Sequence, residues 1–247
     1  MENINNTYFD GYYKDIWRDI IPAELTQKEA EFMESYFELD KTSAVLDLMC
    51  GYGRHALALG RKGIRVTAVD NLAAYIADVE MAATAEGLPV TAIQADIAGY
   101  VHDASADLAI CMGNSLNFFS AEEAAGILKN TATGLKTGGH LLINTWSLAE
   151  IAIKQFTPRT WAYAAGMRYI SECRYEFFPS RIEAEHLIIA PDGSTETKKG
   201  VDYIFSVGEM DQLLQGTGFA IEEIYSIPGR KKFTVGEPRA YIVAVKK

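Results

Sequence analysis

Strand-length apolar runs alternating with helix-forming stretches predict an α/β fold, a parallel sheet with helices on both faces. Three observations carry this. Residues 44–49, 65–69, 90–94, 107–112 and 140–146 are short, nearly continuous apolar or β-branched runs. Residues 56–59, 73–85 and 121–135 between them have helix composition. The first four runs lead into Gly, Asp or Asn turns, at Cys50-Gly51, Asp70-Asn71, Asp96 and Gly113-Asn114.

In chain order, an aromatic opening (Tyr8, Phe9, Tyr12, Tyr13, Trp17) reads as helix until Pro22 breaks it. Thr26 and Glu29 have capping-box spacing, with Ala30, Phe32, Met33, Tyr36 and Phe37 at helical spacing behind them. Gly60 and Gly63 close the helix that follows the first strand, and Glu86-Gly87 stops the next. Ser120 and Glu123 repeat the capping pattern before 121–135. From 150 to 205 the rhythm changes. Residues 169–177 and 182–189 alternate polar and apolar, Pro179-Ser180 separates them, Pro191-Asp192-Gly193 is a turn, and 195–205 offers a third strand. This predicts a small antiparallel sheet inserted into the parallel fold. A helix over 208–218 and strands over 219–227 and 240–245 complete the chain.

The 247 residues suit one domain with an appendage. Lys and Arg total 23 against 33 Asp and Glu, a formal net charge of -10, which disfavours nucleic acid as partner. Cys50, Cys111 and Cys173 are far apart and form no metal pair or disulfide framework, and no two histidines have ligand spacing. No metal is expected. The N-terminal stretch lacks a leader pattern and no window is apolar enough for a membrane span, so a cytoplasmic protein is expected, monomeric or homodimeric.

The strongest motif is the strand–turn–helix passage of residues 45–55, with Gly51-Tyr52-Gly53 in the turn. Glycine lets backbone approach a ligand, and amide groups at a helix start favour an anion. Asp70, ending the next strand, can accept both hydroxyls of a ribose. A nicotinamide-dependent oxidoreductase uses similar geometry. Asp47, however, would repel a pyrophosphate and accept from an ammonium, and Asp96 can accept from an adenine amine. Amine, carboxylate, ribose and adenine together describe S-adenosylmethionine.

Residues 45–55, Asp70, Asp96 and Gly113-Asn114-Ser115 resemble class I S-adenosylmethionine-dependent methyltransferases over about residues 40–150 and 205–247, in particular small-molecule enzymes with an inserted β-lid. The resemblance implies a Rossmann-like seven-stranded sheet, order 3-2-1-4-5-7-6 with strand 7 antiparallel. It also implies a cofactor-binding domain of residues 1–149 and 206–247, and a lid or substrate subdomain over 150–205. By the same resemblance Gly51 and Gly53 border the methionyl part, Cys50 is a small residue of the same cofactor-binding turn, and Asp47 orients the ammonium. Asp70 binds the ribose; Asn71 and Leu72 flank the adenine. Asp96 meets the adenine amine, with Ile97 against the ring. Met112, Gly113 and Asn114 form the floor below the sulfonium, and Tyr13 and Trp17 close over the cofactor. Strand 4 lacks the Asn/Asp-Pro-Pro-Tyr/Phe motif of nucleobase and glutamine methylation.

The function expected is methyl transfer to N or O of a small molecule, with no catalytic base assigned. A protein or RNA methyltransferase, a dinucleotide oxidoreductase and a non-catalytic binding module are the alternatives. Within the insertion, Trp161, Tyr163, Tyr169, Arg174 and Tyr175 are candidates to line the acceptor cavity, and His186 and Tyr203 are possible bases.

Overall fold

A computed structural model describes residues 3–103 and 105–247; Met1 and Glu2, part of the stretch read for a leader, and Ala104 lie outside them. In chain order the strands are β1 (Ala44–Leu48), β2 (Arg65–Asp70), β3 (Val90–Gln94), β4 (Ala106–Cys111), β5 (Leu135–Thr145), β6 (Arg159–Ala164), β7 (Met167–Phe177), β8 (Ser180–Ile189), β9 (Thr195–Tyr203), β10 (Phe219–Ile227), β11 (Lys231–Lys232) and β12 (Ala240–Lys246). The helices are α1 (Gly11–Ile20), α2 (Ala23–Tyr36), α3 (Arg54–Arg61), α4 (Ala73–Glu86), α5 (Ala121–Gly134), α6 (Ala149–Gln155) and α7 (Val207–Gly216).

The large sheet runs β3-β2-β1-β4-β5-β12-β10-β11. Strands β1 to β5 are parallel, and β12 is antiparallel to both β5 and β10. This is the order 3-2-1-4-5-7-6 with a two-residue edge strand, β11, added. Successive side chains alternate between faces, and both faces are covered. Leu46, Ala109, Cys111, Leu141, Ile143 and Ile242 pack with Ile127 and Leu128 of α5 and Met210 and Leu214 of α7. Val45, Leu108, Ile110, Leu142 and Val243 pack with Met33 of α2, Leu59 of α3 and Val79 of α4. Double-sided burial is why these strands read as continuous apolar runs.

Register aligns the functional edge. Leu48 pairs with Val69 and with Cys111, and Val69 pairs with Ile93. The residues following those four positions therefore emerge side by side at the carboxyl end of the sheet.

The helix expected to start at Thr26 begins instead at Ala23, after Pro22. Proline is at home at a helix start. Glu29 is thereby freed from capping. It is 1% exposed and accepts from Tyr241 Oη at 2.6 Å, Arg54 Nη1 at 2.5 Å and His55 Nε2 at 2.9 Å. Burial alone would raise its carboxyl, but the His55 bond, the Arg54 charge and the Tyr241 hydroxyl hold it at about 2. Ser120 and Glu123 do form the expected capping box.

The second sheet, β6-β7-β8-β9, is antiparallel throughout. Strand β6 adds to the three read from sequence. The N-terminal segment belongs with this sheet: Tyr8, Tyr13 and Ile16 share a core with Ala164, Met167, Ile188 and Ala190. Asn5 exchanges two hydrogen bonds with the Val201 backbone, each 2.9 Å. His186 bridges the layers, with Nε2 2.5 Å from Tyr8 Oη and Nδ1 2.8 Å from Ser171 Oγ. Among the described residues no helix is long and apolar enough to cross a membrane.

Candidate active site

The chain passes from β1 to α3 through Met49, Gly51 and Gly53, all at positive φ. Met49 at φ 55 is an unusual conformation for a bulky side chain, and such outliers cluster at binding sites. The loop is tied to the end of β2. Asp70 Oδ2 accepts from Gly51 N at 2.9 Å, and Oδ1 accepts from Leu72 N at 3.0 Å. Burial raises the Asp70 carboxyl, opposed by the Leu72 and Gly51 amides that donate to it and by the neighbouring Asn71 amide.

These loops surround a narrow cleft of about 100 Å³. Of the residues predicted from sequence, Trp17, Asp47, Cys50, Gly51, Asp70, Asn71, Leu72, Asp96, Ile97, Met112 and Gly113 line it. Asp47 is 1% exposed, and its Oδ2 is a buried oxygen without a hydrogen-bond partner. Burial pushes its pKa up to about 7; Arg54 lowers it and Asp70 raises it. A buried, unpartnered carboxylate oxygen facing a cleft is suited to a cationic ligand. Asp96 Oδ1 accepts from Ala98 N at 3.0 Å, and its side chain lies at the exposed end of the cleft.

Three predicted residues do not line the cleft. Tyr13 is buried between Tyr8, with ring centroids 4.7 Å apart, and Tyr169, at 5.6 Å. Trp17, one turn further along α1, takes the position at the cleft. Gly53 is packed against α4, where an added Cβ would sit 2.5 Å from Val79 Cγ2. Asn114 is fully buried, with Oδ1 accepting from Thr145 Oγ1, Trp146 N and Ser147 N, and Nδ2 donating to Ser147 Oγ and Asp202 Oδ1. It braces the loop from behind.

Sequence reasoning missed Asn6, Phe9, Tyr52, Arg54, Tyr75, Ser115 and Phe118, which also line the cleft. The N-terminal segment crosses it as a strap. Asn71 Nδ2 donates to Asn6 O at 3.1 Å, and Tyr75 Oη donates to Phe9 O at 3.1 Å. The aromatic content near the N-terminus was the one local signal for this strap.

A larger chamber of about 540 Å³ adjoins the cleft, and both are bordered by Trp17, Arg54 and Gly113. Gly113 has φ 74, and a Cβ there would lie 3.7 Å from Trp17 Cζ2. Trp146, Phe156, Ile182, Cys173, Asp202 and Arg239 also line the chamber. None of the five candidate cavity residues of the insertion does. Thr160 pairs with Ser171 and Trp161 with Ile170, so the one-residue step from Thr160 to Trp161 changes face. Trp161 and Tyr163 are 78% and 69% exposed. Arg174 pairs with Glu183, Tyr175 meets Ser180 at 2.5 Å, and Tyr169 stacks on His186.

Residues 45–139 match the family model described as "Methyltransferase domain". The chain is 30% identical over 96 residues to a S-adenosyl-L-methionine-dependent Diels-Alderase, iliD, of Neonectria sp. (strain DH2); the match spans 38% of this chain and 39% of that protein. Among solved structures, the CcbJ methyltransferase of Streptomyces caelestis superposes with TM-score 0.83 at 16% identity, covering 97% of this chain and 98% of that one. CalS10 of Micromonospora echinaspora, an amino pentose methyltransferase with S-adenosylmethionine bound, superposes with TM-score 0.72 at 17% identity, covering 96% and 98%. The chain thus has the fold of class I S-adenosylmethionine-dependent methyltransferases, and residues 45–139 match a methyltransferase-domain model.

Proposed function

We propose that the protein binds S-adenosylmethionine in the narrow cleft and transfers its methyl group to N or O of a small molecule held in the adjoining chamber. The observation that carries this is Asp47 Oδ2, buried and unpartnered in a cleft also lined by Asp70 and Asp96. Asp47 receives the amino group, Asp70 the ribose hydroxyls and Asp96 the adenine amine. Asp70 already accepts two backbone N–H groups, and a carboxylate has capacity for about four. Leu72 and Ile97 supply apolar contact for the base.

When bound, the cofactor supplies a sulfonium methyl, whose bond to sulfur breaks, leaving the electron pair on sulfur, as the bond to the acceptor forms. The protein supplies alignment. Gly113 and Trp17 border both cavities, so acceptor and methyl group meet between them. Positioning of this kind can supply much of a rate enhancement. The chamber walls, with two Trp, four Ile and one Phe among their lining residues, suit a small organic body. The match to a S-adenosyl-L-methionine-dependent Diels-Alderase favours a second reading, in which the cofactor binds without transferring its methyl group.

Calorimetric titration with S-adenosylhomocysteine and with NAD tests the cofactor assignment. Binding of the former and no heat from the latter is expected; the reverse result overturns it. Release of S-adenosylhomocysteine during turnover of an acceptor separates methyl transfer from the second reading.

A further inference from the structure

The chamber holds a carboxylate that the cofactor assignments do not use. Asp202, near the end of β9, is partly buried and lines the chamber together with residues of α1 and α6. Its Oδ1 accepts from Asn114 Nδ2 at 2.9 Å; among the described residues its Oδ2 has no hydrogen-bond donor. Asn114 directly follows Gly113, which borders both cavities, so this bond ties Asp202 to the segment that separates them. No ion pair neutralises it among the described residues. Around it the chamber sets apolar and aromatic side chains, Trp17, Ile21, Trp146 and Phe156, beside polar ones such as Asn144 and Gln155. The Trp17 and Trp146 rings, 5.9 Å between centroids, can face a cation.

We propose that the chamber accepts a small primary or secondary amine with an apolar or aromatic body, and that Asp202 binds its nitrogen and takes its proton. This rests on the methyltransferase reading above. The amine enters as an ammonium. The ionised Asp202 accepts one N–H proton and becomes the carboxylic acid, and the freed lone pair on nitrogen is the nucleophile. Asp202 later returns the proton to solvent. Burial raises this carboxyl to about 7, with the Asn114 bond opposing, so it exchanges protons near neutral pH. The other titratable groups around it are Arg54 and Arg239 in the chamber wall, the Cys173 thiol, and the Tyr8 and Tyr13 phenols behind it. Arg54 is held by Glu29, and burial raises Cys173, Tyr8 and Tyr13. Asp202 is therefore the acidic group of the chamber that titrates near neutrality.

The test is calorimetric titration of the S-adenosylhomocysteine complex with phenethylamine and with phenethyl alcohol, which share a body and differ in the polar group. The amine should bind about tenfold or more tighter than the alcohol, the scale of one charge-assisted hydrogen bond. Its affinity should rise about tenfold between about pH 6 and pH 8 as Asp202 ionises. Asp202→Asn, which keeps the shape and an acceptor for Asn114, should abolish both the preference and the pH dependence. It should leave S-adenosylhomocysteine affinity within about twofold. Equal affinity for the two probes, no binding of the amine at millimolar concentration, or an unchanged pH profile in Asp202→Asn overturns the proposal. The same titrations on cofactor-free protein read Asp202 even if S-adenosylhomocysteine does not bind, so failure of the cofactor reading is seen separately.

Discussion

Asp70 Oδ2 accepts the Gly51 amide at 2.9 Å, joining the ends of β1 and β2 across 19 residues. With the second bond from Leu72 N, this carboxylate orders both loops before any ligand arrives.

Asp70→Ala should therefore do two things. Loss of two charge-assisted bonds at a 7% exposed site should lower stability by about 1–3 kcal/mol in denaturant titration. Affinity for S-adenosylhomocysteine should fall about 10- to 150-fold, read by calorimetry. Unchanged affinity in a folded Asp70→Ala protein would remove Asp70 from the ribose site.

Asp47 yields a pH prediction. Its pKa is raised from 3.8 to about 7 in the fold, chiefly by burial. Between those values the folded state holds a proton that the unfolded chain has lost, so this group's contribution to stability falls as pH rises through that window. Asn at this position cannot ionise. Asp47→Asn should gain stability relative to the parent protein by about 2–3 kcal/mol between about pH 5 and pH 8, in the absence of ligand. Paired denaturant curves at several pH values check this; a constant difference would show that Asp47 is ionised throughout. The same variant should bind S-adenosylhomocysteine more weakly at neutral pH.

Gly53 tests the packing below the loop. At φ 74 an added Cβ meets Val79 Cγ2 at 2.5 Å. Backbone strain and overpacking together should make Gly53→Ala destabilising by about 2–4 kcal/mol. Val79→Ala removes the overlap but leaves the φ strain. The double variant should lose less than the sum of the two single losses. Additive losses in thermal or denaturant unfolding would mean that the two residues do not compete for this space.

Local chemistry determined the parallel sheet and most of the cofactor cleft. The apolar runs reflect burial on both faces, and strand ends are marked by the Gly, Asp and Asn residues that leave them. Asp47, Gly51, Asp70, Asp96 and Gly113 meet because parallel register brings successive strand ends to one edge. Tertiary structure decided which faces are covered. Tyr13 and Trp17 share one side of α1, yet the Tyr169–His186 stack takes Tyr13 into the core and leaves Trp17 at the cleft. Alternation in β6 and β7 marks two faces but not the inner one, so Thr160 and Cys173 line the chamber while Trp161 and Arg174 face solvent. Glu29 with Tyr241, Asn5 with Val201 and Asp202 with Asn114 are separated by 212, 196 and 88 residues. No local spacing encodes such pairs, because each depends on burial that exists only after distant segments have packed together.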